Sequence, residues 1–105
     1  MYRATTPVHV FTLPVLTNTL KDIQVIYKQG ETELLKYMDN NILPPGMTLD
    51  GKDVIISLTQ NETKLFEAGK TILAQIRVLT NDGAVMASQQ FKISVKGVLN
   101  EDNLT

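Results

Sequence analysis

The stretch that decides the fold runs from Thr71 to Val95, TILAQIRVLTNDGAVMASQQFKISV, with two alternating apolar runs on either side of Asp82-Gly83. Asp-Gly in that setting is a strong short-range hairpin signal, because a type I′ turn needs positive φ at both central residues. With Asp82 and Gly83 at the turn centre, Thr80 faces Val85, Val78 faces Ala87, Ile76 faces Gln89, Ala74 faces Phe91 and Ile72 faces Ile93. Side chains alternate along a strand, so all of these share one face. The opposite face pairs Leu79 with Met86, Arg77 with Ser88, Gln75 with Gln90 and Leu73 with Lys92. The first face is nearly all apolar and the second mostly polar, and a one-residue slip would turn the apolar set outward. Such a half-buried ribbon needs a second layer to cover it.

Outward from the hairpin, the chain reads as a series of short strands. Val8 to Leu13 alternates and stops at Pro14, which suits a first strand near a sheet edge. Leu20 to Lys28 is a second, with Ile23, Val25 and Tyr27 on one face. Gln29-Gly30 turns into a third over Glu33 to Met38, where helix is the competing reading because Glu, Leu and Lys favour it. Asp39-Asn40-Asn41 and Pro44-Pro45-Gly46 break the chain around Ile42-Leu43. Met47 to Leu49 and Val54 to Leu58 flank a second hairpin signal, Asp50-Gly51-Lys52-Asp53. Thr59 and Glu62 form a capping box that starts a short helix over residues 60–66, ended by Ala68-Gly69, a crossover from one sheet to another. About seven short strands, with turn signals every eight to twelve residues, predict an all-β, immunoglobulin-like antiparallel sandwich of two sheets; a small barrel is the alternative. One domain over residues 1–99 is expected, with Asn100 to Thr105 a frayed acidic tail.

Composition narrows the function classes. The 105 residues include ten basic and eleven acidic ones for a net charge of -1, and no basic block or amphipathic stretch points to nucleic acid or a membrane surface. Zero cysteines exclude disulfides, thiol catalysis and Cys-based metal centres. No apolar run is long enough to span a bilayer, and the residues after Met1 lack the apolar core of a secretory signal, so the chain is expected to be made in a cytoplasm.

Catalytic chemistry is equally thin. Ser57, Ser88 and Ser94 all fall on predicted strands, outside any nucleophile elbow, and no Gly-rich phosphate loop exists. Asp50, Asp53, Glu62 and Glu67 are the only clustered acids, and turn and capping duties account for Asp50 and Glu62. No cofactor is implied, and the chain does not read as an enzyme. His9 alone titrates near neutrality, so it is the candidate pH-sensitive residue; its bland reading is a strand residue packed beside Phe11, since one imidazole cannot build a metal site. Gln89, placed opposite Ile76 on the apolar face, must find hydrogen-bond partners at a sheet edge or under a neighbouring subunit. Leu73, Leu79 and Met86 fall on the wet face of the hairpin and form one candidate contact patch, and Ile42-Leu43 in the Pro-rich loop forms a second.

The order of these pieces carries a resemblance. Thr5-Thr6-Pro7, His9, Phe11 and Leu13-Pro14 open it, and Tyr27-Lys28-Gln29 closes the second strand. Leu49 to Lys52, Leu58 to Thr63, Phe66, Gln75 to Thr80 and Asp82-Gly83 follow. This pattern resembles short proteins encoded among virion structural genes in phages and prophages of Gram-positive bacteria, over nearly the whole chain; Asn40 to Met47 departs from it. The resemblance implies a virion structural or assembly protein of the tail, baseplate or head-decoration region, made in the bacterial host cytoplasm, whose partners are other virion proteins or itself. It implies no catalytic residue. A standalone carbohydrate- or receptor-binding module is the competing class, weakened by zero Trp and only three Tyr and three Phe.

Overall fold

The computed structural model describes residues 1–105. Its strands are β1 (Val8–Thr12), β2 (Leu20–Gln29), β3 (Thr32–Met38), β4 (Met47–Asp50), β5 (Asp53–Ser57), β6 (Thr71–Thr80), β7 (Val85–Ala87) and β8 (Phe91–Ser94), with one helix, α1 (Gln60–Thr63), between β5 and β6. They form two antiparallel sheets, one ordered β1-β5-β4 and the other β3-β2-β6-β7, with β8 continuing β7 along β6. Period-2 alternation explains the layering. Ile23, Val25 and Tyr27 of β2, and Ile72, Ala74, Ile76 and Val78 of β6, are buried against Phe11 of β1, Met47 of β4 and Val54 and Ile56 of β5. The fold is the all-β two-sheet sandwich expected from the sequence, and Thr32–Met38 is a strand rather than a helix.

The order maps onto the immunoglobulin sandwich. β1, β5 and β4 take the places of its B, E and D strands, and β3, β2, β6 and β7–β8 those of C′, C, F and G. No strand occupies the A position beside β1. The first residues go instead to the other sheet: Tyr2 bridges Lys96 in parallel, and Arg3 N–H donates to the Lys96 carbonyl at 2.9 Å.

The expected capping box is complete, with Thr59 Oγ1 accepting from Glu62 N–H and the Glu62 carboxylate accepting from Thr59 N–H. The helix is shorter than the expected 60–66. Past Thr63 the chain tightens into turns, Leu65 N–H bonding to the Glu62 carbonyl and Phe66 N–H to that of Thr63, before Gly69 at φ +83° releases it. The Asp50 to Asp53 hairpin is also as expected, with Asp50 paired to Asp53 and Gly51 at φ +59°.

The β6 hairpin departs from its expected register. Its turn is a three-residue loop, Asn81-Asp82-Gly83, closed by Thr80 N–H to the Ala84 carbonyl at 2.9 Å, with Gly83 alone among the three at positive φ. The extra residue shifts β7 by one: Leu79 pairs with Val85, Val78 with Met86 and Arg77 with Ala87. A bulge over Ser88-Gln89-Gln90 then restores the expected register, Ala74 opposite Phe91 and Ile72 opposite Ile93. That break makes eight strands of the expected seven. Within it, Ser88 rather than Gln89 serves Ile76: Ser88 N–H donates to the Ile76 carbonyl at 2.9 Å and Ser88 Oγ accepts from Ile76 N–H at 3.1 Å. Gln89 is exposed, so it is not the buried amide the two-residue turn required.

The tail Asn100–Thr105, expected to fray, has no regular structure but is tied to the body. Leu104 exchanges two hydrogen bonds with the Gln60 side chain at 2.7 and 2.8 Å, and Glu101 pairs with Arg3 at 2.8 Å.

Candidate functional site

An edge strand holds only half of its backbone groups in a ladder, and β1 shows which half. Leu58 N–H donates to the Pro7 carbonyl at 3.1 Å and Leu13 N–H to that of Lys52 at 2.8 Å. In the register between these bonds, His9 and Phe11 exchange hydrogen bonds with Ile56 and Val54 of β5. Val8, Val10 and Thr12 therefore aim their N–H and C=O groups away from the sheet, where the A strand would lie. Their side chains point outward too, with Val8 58% and Val10 57% exposed.

Native sheets blunt such edges with charge, proline, bulges or brevity. β3 carries Glu33 and Lys36, β4 is four residues long and ends in Asp50, and the β7–β8 line is broken by its bulge and carries Lys92. β1, Val-His-Val-Phe-Thr, carries no charge and no bulge in its five residues, and its prolines, Pro7 and Pro14, lie only at its ends. Beside it the two sheets part over a cleft of about 440 Å³ lined by Phe11, Leu13, Ile76, Val78, Met86 and Phe91 among others, with no charged side chain on its walls. The Phe11 and Phe91 rings meet across it, centroids 5.7 Å apart.

The contact patch expected from Leu73, Leu79 and Met86 does not assemble. The one-residue shift turns Met86 inward, where it packs against the core opposite Val78, while Leu79 stays on the outer face opposite Val85. Leu73 shares that outer face but sits between Lys28 and Lys92, separated from Leu79 by Gln75 and Arg77. Ile42 and Leu43 are exposed, held out by a turn in which Asn40 and Asn41 both take positive φ.

His9 points inward from β1, and its Nδ1 lies 2.9 Å from the Tyr27 hydroxyl on the facing sheet. Burial, helped by the positive N-terminal amine, holds the imidazole below its ordinary pKa. Burial first, and then the Glu62 charge, push the Tyr27 hydroxyl up, so it stays protonated. A neutral imidazole accepting from the Tyr27 O–H is the arrangement these shifts favour.

Next to this pair is an ion pair that the sequence reading missed. Lys36, in phase with Met38 on the inner face of β3, is 8% exposed, and its amine lies 2.5 Å from Glu62 and 3.2 Å from the Pro45 carbonyl. Burial works against the Glu62 carboxylate, but hydrogen bonds from Lys36 and Thr59 and the Lys36 charge outweigh it and hold its pKa low. Alternation alone did not place Lys36 inside, because Leu35 and Tyr37 on the outward face are as apolar as Leu34 and Met38 on its own face.

The outer face of the larger sheet holds a shallower depression of about 200 Å³, bordered by Asp22, Gln24, Tyr37, Arg77, Leu79 and Val85. Tyr37 is exposed there and its hydroxyl donates to Asp22 at 3.3 Å. Nowhere do three or more His, Cys, Asp or Glu side chains gather in a way that could hold a metal ion, and no helix is long and apolar enough to cross a membrane. No protein-family model, no curated protein and no solved structure matches the chain. Its class is thus defined by its own architecture: an antiparallel two-sheet β-sandwich whose β1 edge carries no charge.

Proposed function

We propose that this chain is a non-enzymatic structural or assembly protein of a phage or prophage particle, made in the bacterial host cytoplasm and working by protein–protein contact. The observation that carries the contact-making part is β1, an uncharged edge strand with free backbone groups on one side and an apolar cleft alongside. Such an edge is a template for another strand. The virion setting is supported only by the resemblance of the pattern from Thr5-Thr6-Pro7 through Asp82-Gly83 to virion-region proteins. Gradient-purified particles from the encoding host test it by mass spectrometry: the chain is expected at a fixed ratio to the major structural proteins, and its absence from particles would refute the role.

One observation favours a second reading. Tyr37 presents an exposed ring beside Gln24, Arg77 and Asp22, an aromatic platform with hydrogen-bonding neighbours that suits a sugar. A monomer that retains glycans on an array, and loses them with Tyr37→Ala, would support this carbohydrate-binding reading over the structural one.

A further inference from the structure

We propose that the open edge of β1 is filled by β1 of a second copy of this chain, the two strands running antiparallel about a two-fold axis at Val10. The inference rests on the contact-making reading above and names the partner. Its first support is the register. The free groups belong to Val8, Val10 and Thr12, and antiparallel pairing about Val10 sets Val8 against Thr12 of the second copy and Val10 against its own counterpart. Every free N–H then meets a free C=O, because in this register the residues facing each other are those with unspent groups. A copy displaced by one residue would set spent groups against free ones.

Charge is the second support. A two-fold approach through β3, β4 or β8 brings two copies of Glu33, Asp50 or Lys92 into one seam. β1 brings no charge to the axis, and neither do the walls of the cleft beside it. Branched and aromatic side chains meet instead: Val10 against Val10 on the outer face, His9 against Phe11 on the inner, which are favourable cross-strand pairs. The two three-stranded sheets become one of six, β4-β5-β1 continued by the same strands in reverse.

Area sets the strength. Five residues at about 3.4 Å each give a seam of about 17 Å, and across the molecule's 19 Å smallest dimension that is on the order of 300 Å² per copy. A stable interface buries about 800 Å² per partner. The pair is therefore weak in free solution and gains strength where many copies are held side by side.

Sedimentation equilibrium from about 1 μM to 1 mM tests the pairing. Wild type is expected to pass from monomer to dimer across that range. Val10→Lys places two ammonium groups at the axis and should raise the midpoint at least tenfold. Val10→Pro removes an N–H that β5 does not use, as an edge strand tolerates, and should abolish the dimer while melting as the wild-type monomer does. If Val10→Pro unfolds, Val10→Lys, whose side chain points to solvent, still decides the matter. Wild type that stays monomeric at 1 mM, or a dimer indifferent to Val10→Lys, overturns the proposal. So does an edge protected only when particle proteins are added, which assigns it to a strand of another chain. Incorporation into particles is read separately: a monomeric chain found in particles sinks self-pairing alone, and a β1 dimer absent from particles sinks the virion role alone.

Discussion

Replacing Glu62 by Gln isolates the Lys36–Glu62 ion pair from the capping box in which the same carboxylate takes part. Gln at that position still reaches back to Thr59 N–H, so the helix start survives. What is lost is the countercharge to a Lys36 amine whose side chain is only 10% exposed and whose other partner is the Pro45 carbonyl. Breaking a fully buried pair costs about 3–5 kcal/mol. Glu62 is 19% exposed, and solvent reaching the pair from that side lowers the expected cost to about 1–2 kcal/mol. Glu62→Ala adds the lost cap, about 1 kcal/mol more. Lys36→Met removes the cation and leaves a carboxylate that keeps its helix-start partners, so it should cost less than about 1 kcal/mol. The double variant Glu62→Gln/Lys36→Met should then cost no more than Lys36→Met alone, a coupling of about 1 kcal/mol or more.

Urea unfolding at pH 7 measures all four corners of the cycle. The coupling should also follow pH. The folded-state pKa of Glu62 lies below its ordinary 4.5, so the folded chain resists the proton that the unfolded chain accepts. The stabilisation is full above 4.5 and is lost as pH falls through the folded value. A Glu62→Gln variant within about 0.3 kcal/mol of wild type, or strictly additive corners, would refute the reasoning.

The remaining predictions concern the hairpin and the buried histidine. Ser88→Ala should cost about 1 kcal/mol in urea unfolding, because Ile76 N–H loses its acceptor, while Gln89→Ala should be neutral; the reverse order would restore the two-residue turn. The folded-state pKa of His9 is held below 6.5, so as pH falls from 6.5 the unfolded chain takes up the proton first and stability declines. Tyr27, the Met1 amine and, more distantly, Glu62 are the titratable groups around that ring. Between pH 6.5 and 5, above the ordinary carboxylate range, His9→Gln should flatten the dependence; an equal slope in both proteins would place the titrating group elsewhere.

Most of the sandwich was legible because period-2 alternation is a local signal. Ile23, Val25 and Tyr27, or Ile72 through Val78, announce their face whatever the rest of the chain does. The capping box and the Asp50 to Asp53 turn were legible for the same reason. The β6–β7 register was not, because Asp-Gly serves both a two-residue turn and the end of a three-residue one, and the choice depends on Ser88 absorbing the extra residue 12 positions away from its partner Ile76. That single shift moved Met86 inward and dissolved the expected patch. The open edge of β1 was half visible. Pro14 marked it as an edge strand, but its vacancy depends on which strands pair with which, and topology at that range leaves no mark on a sequence.

Residue-resolved amide hydrogen exchange of β1, recorded at about 10 μM and again at about 1 mM, tests the central claim most directly. His9, Phe11 and Leu13 spend their N–H groups on β5 and should be protected at both concentrations. Val8, Val10 and Thr12 should exchange freely in the dilute sample and become protected in the concentrated one, as a second copy closes the edge. Protection of Val8, Val10 and Thr12 already at the lower concentration, or free exchange at the higher, would contradict an open edge that pairs with itself.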